Sequence, residues 1–338
     1  MNWTRREFLA TAGTAAAGVI AAPGLGAACL RRGDTFFPWR QVREGVHVTQ
    51  GLETGGNVMV VLGEDQALVV DAKFAFIAPA LRREAEAFGQ PVRTLVNTHH
   101  HGDHTSGNVA FSGDAQLIAH VKAEPRIRAQ FDRYIQGIAS GPERLASGGR
   151  DVPEQVIAEA KALADRSGSL TPDDWLPDRT IDQPEAGVEL PGREVRLRYT
   201  GGGHTDNDMT VHLPRDNVLH AGDLLFNRLH PFFDQNGGVG ARRWIRSVQA
   251  AIDLCDAETV VVPGHGDVSD VDGLKAQLEY LQRLVAEVEK LVKAGTPRAE
   301  AVKMSWPFMD GLGFEQIRGR AIGAVYDEVV GERDAAGK

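Results

Sequence analysis

The stretch Thr98-His99-His100-His101-Gly102-Asp103-His104 constrains this chain more than any other. It gathers four of the eleven histidines and an aspartate into seven residues. Residues 91–97, just before it, are short and rich in β-branched side chains, so they read as a buried strand. Thr105-Ser106-Gly107-Asn108, just after it, can start a helix. The cluster is therefore expected on a tight turn at the carboxyl end of a strand, where layered α/β folds build their sites. Side chains two apart in an extended segment point the same way, so His99 and His101 can reach one cation together. Asp103 and His104 follow a glycine that lets the backbone turn, and they can face a second point nearby. Imidazole with carboxylate suits Zn²⁺, and also Fe or Mn.

Three further stretches follow in order: Gly202-Gly203-His204-Thr205, Ala221-Gly222-Asp223 and Pro263-Gly264-His265-Gly266. With His99-x-His101-x-Asp103-His104, and over roughly residues 40–270, they resemble the signature of the metallo-β-lactamase-fold hydrolases. The resemblance implies an α/β fold, a four-layer αββα sandwich. It would carry a helical insertion at about residues 122–187 and C-terminal helices at about 270–330. It also implies two divalent cations, zinc first and Fe or Mn as alternatives. His99, His101 and His204 would hold one, Asp103, His104 and His265 the other, and Asp223 would bridge them. A hydroxide held between them would attack an ester, thioester, lactone or amide carbonyl of a small molecule, with Asp103 as the catalytic residue that orients it and moves a proton.

The ligand set resembles that of glyoxalase II and the lactonases, because His104 stands where the main group of β-lactamases has a cysteine and Asp223 supplies the bridge. Three alternatives stay open: a β-lactamase, an iron-dependent persulfide dioxygenase-like redox enzyme using His99, His204 and Asp223, and a non-catalytic exported partner of a respiratory system. A nuclease is disfavoured by the net charge of −9, since nucleic-acid binding shows as a basic surface. Asn207, Asn227 and Asn236 are all candidate oxyanion donors, and none is singled out.

Thr4-Arg5-Arg6-Glu7-Phe8-Leu9 precedes a small, apolar run over residues 10–28. Paired arginines before such a run resemble a twin-arginine export signal. The run is too rich in Ala and Gly to favour a membrane span. Residues 1–28 are expected to be removed, leaving residues 29–338 as one metallo-β-lactamase-like domain in the periplasm or outside the cell. Lipid attachment at Cys29 is disfavoured because Leu25 lies one place too early. The two cysteines, Cys29 and Cys255, make no disulfide framework.

Strands are expected over residues 46–50, 57–62, 67–70, 116–120, 195–199, 208–213, 217–220 and 259–262, and a helix over 77–88. Residues 57–62 are nearly all apolar and should be buried on both faces. Asp71, ending one strand, is expected either to accept hydrogen bonds near the metal loop or to close a turn. His120 lies outside the motifs and reads as structural. In the insertion, helices are expected over 124–138 and 153–166, separated by Gly141-Pro142 and Gly148-Gly149. Phe131, Tyr134 and Trp175 there either line the mouth or pack helices. Leu274, Leu278, Leu281, Val285, Val288 and Val292 repeat at helical spacing, for core packing or a homodimer contact, and residues 314–330 form a last helix.

Overall fold

Short apolar runs give twelve strands in two sheets among the described residues. The computed structural model describes residues 35–148 and 151–336, so the readings of the export segment at 1–28 and of Cys29 lie outside the described residues. The first sheet places its strands side by side in chain order: β1 (Trp39–Arg43), β2 (Val46–Thr49), β3 (Val58–Leu62), β4 (Ala67–Val70), β5 (Val92–Val96), β6 (Gln116–His120) and β7 (Arg179–Ile181). β1 to β4 run antiparallel and β4 to β7 parallel. The second sheet contains β8 (Glu185–Leu190), β9 (Arg193–Tyr199), β10 (Met209–Leu213), β11 (Val218–Phe226) and β12 (Val260–His265). Its neighbours are antiparallel except β11 with β12.

The period of two along a strand sets the layers. In β3, Met59 and Val61 face the second sheet and meet Leu197, Met209 and Val211. Val58 and Val60 face the other way, toward Leu81, Val156 and Ala160. Those belong to α1 (Ala78–Glu86) and, after the four-residue α2 (Gly102–Thr105), α3 (Ala123–Arg128) and α4 (Phe131–Ser147), to α5 (Glu154–Asp165). The far face of the second sheet offers Leu219, Ala221 and Val261 to α6 (Ala241–Ile252), α7 (Val271–Lys293), α8 (Arg298–Ala301) and α9 (Arg318–Ala336). Helix, sheet, sheet, helix is thus the order of layers. Each Val or Leu buried this fully contributes about 1.5–3 kcal/mol.

Several expectations need correction. Gly141-Pro142 does not separate helices; α4 runs through it. Burial of Tyr134, Ile138, Gly141 and Leu145 along one face outweighs the roughly 3 kcal/mol that an interior proline costs. Gly141 is needed for packing, because a Cβ there would meet Phe76 Cβ at 2.2 Å. The break comes earlier, between α3 and α4. The irregular return of the insertion contains β7 and the start of β8. β11 does not stop at His220 but continues through Asp223 to Phe226, so that aspartate lies in a strand rather than on a turn. The last helix starts at Arg318, not Phe314. Helix α6 was not anticipated, although Ala241, Trp244, Val248 and Ala251 repeat at helical spacing and are all buried. Among the described residues no helix is long and apolar enough to cross a membrane.

Candidate metal centre

The motifs meet where strands of both sheets end. β5 leads into His99 to His101, which are followed by α2 with Asp103 and His104. The β9–β10 loop carries His204, β11 carries Asp223, and β12 ends in His265. The start of β10 closes onto the metal loop through Met209 N donating to Thr98 O at 2.8 Å. Gly102 has no left-handed φ; the backbone simply enters a helical turn there, from an extended His101. In Gly201-Gly202-Gly203, Gly203 makes room not for a cation but for α6, since a Cβ would meet Trp244 Cα at 2.7 Å.

Two groups of donor atoms result, each within 4.8 Å: His99, His101, His204 and Asp223 form one, and Asp103, His104 and His265 the other. Asp223 lies between them. Its Oδ2 is 3.3 Å from His204 Nε2, 3.7 Å from His99 Nε2 and 3.5 Å from His265 Nε2, and its Oδ1 is 3.3 Å from His104 Nε2. All seven candidate ligands are therefore brought together.

The donor atoms fit cations better than they fit one another. His99 Nε2 and Asp223 Oδ1 are buried without a hydrogen-bond partner. His104 Nε2 and His265 Nε2 face each other at 3.4 Å. Buried polar atoms of this kind are normally satisfied. Three nitrogens and a carboxylate oxygen, beside two nitrogens and a second carboxylate, make a donor set that suits zinc.

The charges respond accordingly. Burial lowers His99 well below the usual imidazole range, and neighbouring His104 adds to this; burial likewise takes His204 to about 4. Burial also opposes the charged forms of His104 and His265, but Asp223 and Asp103 outweigh it, raising His104 well above its usual value and His265 to about 9. Burial would raise Asp103 and Asp223, yet the surrounding imidazoles hold both below the usual carboxylate range. Asp103 is the most exposed of the seven ligands: 26% of its side chain is open, against 18% for His101, 10% for His265, 3% for Asp223 and none for His99, His104 or His204.

Hydrogen bonds behind the ligands fix their rings. Asp71 accepts from Thr98 N, Thr98 Oγ1 and His104 Nδ1, each at 2.8 Å. Thr98 Oγ1 is also 3.1 Å from His99 Nδ1. Asp71 thereby supports one histidine in each group, and it does so with φ at +64°, a conformation rare outside glycine. His204 Nδ1 lies 2.6 Å from Phe232 O. His101 Nε2 lies 2.8 Å from Asp234 Oδ2. Arg126 clasps Asp206 with Nε and Nη2, at 3.1 and 2.7 Å, and donates from Nη1 to Asn236 O at 2.8 Å. The insertion is thus tied to both loops behind the first group.

Asp234 was not found from the sequence, because its partner is 133 positions away. His100, His101 and Asp234 also lie close enough to suggest a cation. That grouping uses the outer nitrogen of His101, so it serves as support for the first group. His100 itself is held by Asn207 Nδ2 at 3.0 Å.

Lys73 was also missed. It is fully buried, has φ of +58°, and donates to Thr54 Oγ1 and Gly56 O at 3.0 and 2.9 Å. Burial pushes its amine down to about 7 against the pull of Asp103 and Asp71. It pins Gly56 against the site, where a Cβ would meet the His104 ring at 2.1 Å.

Asn207 and Asn227 are engaged elsewhere, with Asp206 Oδ1 and Asp267 O, both at 2.8 Å. His120 stacks on Tyr199. Tyr134 and Trp175 are buried beneath the metal loop, hydrogen-bonded to Thr105 Oγ1 and Ser106 O at 2.7 Å each, and so pack rather than line a mouth.

Comparison with known proteins agrees with this geometry. The family model described as "Metallo-beta-lactamase superfamily" matches residues 51–265. The chain is similar to the alkyl/aryl-sulfatase BDS1 of Saccharomyces cerevisiae, 21% identical over 87% of this chain and 49% of that protein. It is similar to a type 2 metallo-β-lactamase of Bacteroides fragilis, 23% identical over 35% of this chain and 49% of that protein. The chain spans about half the length of these curated relatives. The solved sec-alkylsulfatase Pisa1 of a Pseudomonas species superposes with a TM-score of 0.61 at 18% identity, over 86% of this chain and 50% of that one. The family model covers well over half of the chain, and on that ground the chain belongs to the metallo-β-lactamase superfamily.

Proposed function

We propose that this protein is an exported hydrolase that works with two divalent cations, zinc first among them, on an ester, thioester, lactone or amide bond of a small molecule. The observation that carries this reading is the placement of Asp223 between two donor groups, within 3.7 Å of an imidazole nitrogen on either side. Divalent cations held there supply Lewis acidity and a water of lowered pKa. The remaining work falls to the chain. Asp103, ionised and the most open of the ligands, orients the attacking water and takes its proton. Phe232 and the ring of Trp244 crowd His204 at 6.1 and 5.3 Å and keep water from its face.

A second reading is hydrolysis of alkyl sulfate esters. It is favoured by the yeast sulfatase, which aligns with 87% of this chain where the β-lactamase from B. fragilis aligns with 35%, and by Pisa1, which superposes over 86% where solved β-lactamases superpose over 73%. Metal analysis of the purified protein, then a panel of carboxylic esters, thioesters, lactones, β-lactams and alkyl sulfates, separates the readings. Asp103→Ala is expected to keep the fold and lose about 10²–10⁴-fold in turnover. Rates like those of the unmodified protein would remove Asp103 from the mechanism.

A further inference from the structure

Two half-buried aromatic rings stand beside the donor groups, one next to each. Phe232 lies 5.9 Å from the His101 ring and Phe314 lies 6.3 Å from the His265 ring. His101 and His265 are the two histidine ligands with open surface, and each has one of these rings beside it. Phe314 comes from outside the family-matched residues 51–265. Its backbone has φ +61° and ψ +34°, a left-handed conformation that is costly for a bulky aromatic residue. Such an outlier persists only where its surroundings impose it.

The surroundings do. Gly313 N donates to Arg228 O at 3.0 Å and His230 N donates to Gly313 O at 2.8 Å. His230, fully buried, reaches Tyr280 Oη and Glu315 Oε2, both at 3.0 Å. The segment is fastened on both sides of Phe314, and the fastening holds the ring at the second group.

We propose that Phe232 and Phe314 are specificity-determining residues that form the two apolar walls of the substrate mouth, selecting substrates whose groups on both sides of the scissile bond are apolar. This rests on the two-cation reading above. Arrival of a charged or strongly hydrated group at either wall would desolvate it without a partner, whereas an alkyl or aryl group gains by burial.

The test uses simple alkanoates, whose carboxylates seek the cations and whose chains reach the walls. Metal content is measured first. Binding of butyrate and octanoate to the Co²⁺-loaded protein is then followed by visible absorption and calorimetry. Octanoate is expected to bind at least tenfold more tightly than butyrate. Phe314→Ala and Phe314→Gly should both lower that preference about tenfold. The glycine variant also relieves the left-handed backbone and so guards against misfolding. Phe232→Ala should lower the preference independently. An unchanged octanoate preference in all three variants, or no preference in the unmodified protein, overturns the apolar walls and leaves the two-cation reading standing. A protein that takes up no metal sinks both.

Discussion

The two donor groups differ in what stands behind them. In the first, every histidine has an oxygen at its outer nitrogen: Thr98 Oγ1 for His99, Asp234 for His101 and Phe232 O for His204. In the second, His104 has Asp71, but His265 Nδ1 is buried with no partner. His265 is instead held by rings, stacked on Phe226 at 5.2 Å and edged by Phe314. Ring packing fixes a plane but neither selects a tautomer nor raises basicity, which an outer hydrogen bond does. On the two-cation reading, the difference makes the first cluster the one built to grip and the second the one left freer to meet a substrate.

The largest test removes what the clusters share. Asp223→Ala is expected to drop bound metal from two equivalents per chain to below one, as measured by elemental analysis; two retained equivalents would show that the groups do not depend on the aspartate. Next comes the asymmetry itself. Under graded chelation of the unmodified protein the second cluster should empty first, as read by anomalous diffraction from partly depleted crystals. Asp234→Ala should weaken the first cluster about 10–100-fold and narrow or reverse that order. An order unaffected by Asp234 would break the comparison.

The smallest effect concerns Lys73, which supports only the second cluster. Burial holds its amine at about 7 in the folded chain, against 10.5 for a lysine in water, as in the unfolded chain. Between those values the unfolded chain holds a proton that the folded chain has shed. Stability therefore rises with pH across that window, by at most about 1.4 kcal/mol per pH unit. The metal-free Lys73→Met protein should lack this part of the slope in chemical denaturation from pH 7 to 10. An identical slope in both proteins would show that Lys73 is not the group responsible.

Much of the fold was legible because it is written locally. The all-apolar residues of β3 signal burial on both faces, and Met59 and Val60 do face different layers. The ordered histidine motifs are equally local, each carried on a few residues at a strand end. What stayed hidden is what depends on distant contact. Asp234 acquires meaning only from His101, and Lys73 only from the turn at Thr54 and Gly56. The proline in α4 misled because a buried helical face overrode the local signal. Strand β8 was hidden within a charged segment, since only Val188 and Leu190 of its six residues are buried.

Arg126 clasps Asp206 and reaches Asn236 O, joining chain positions 80 and 110 residues apart. Holding together loops so far apart costs a closure entropy that grows only slowly with their length. The first donor group consequently owes its shape to the insertion as much as to the sheets that carry its ligands.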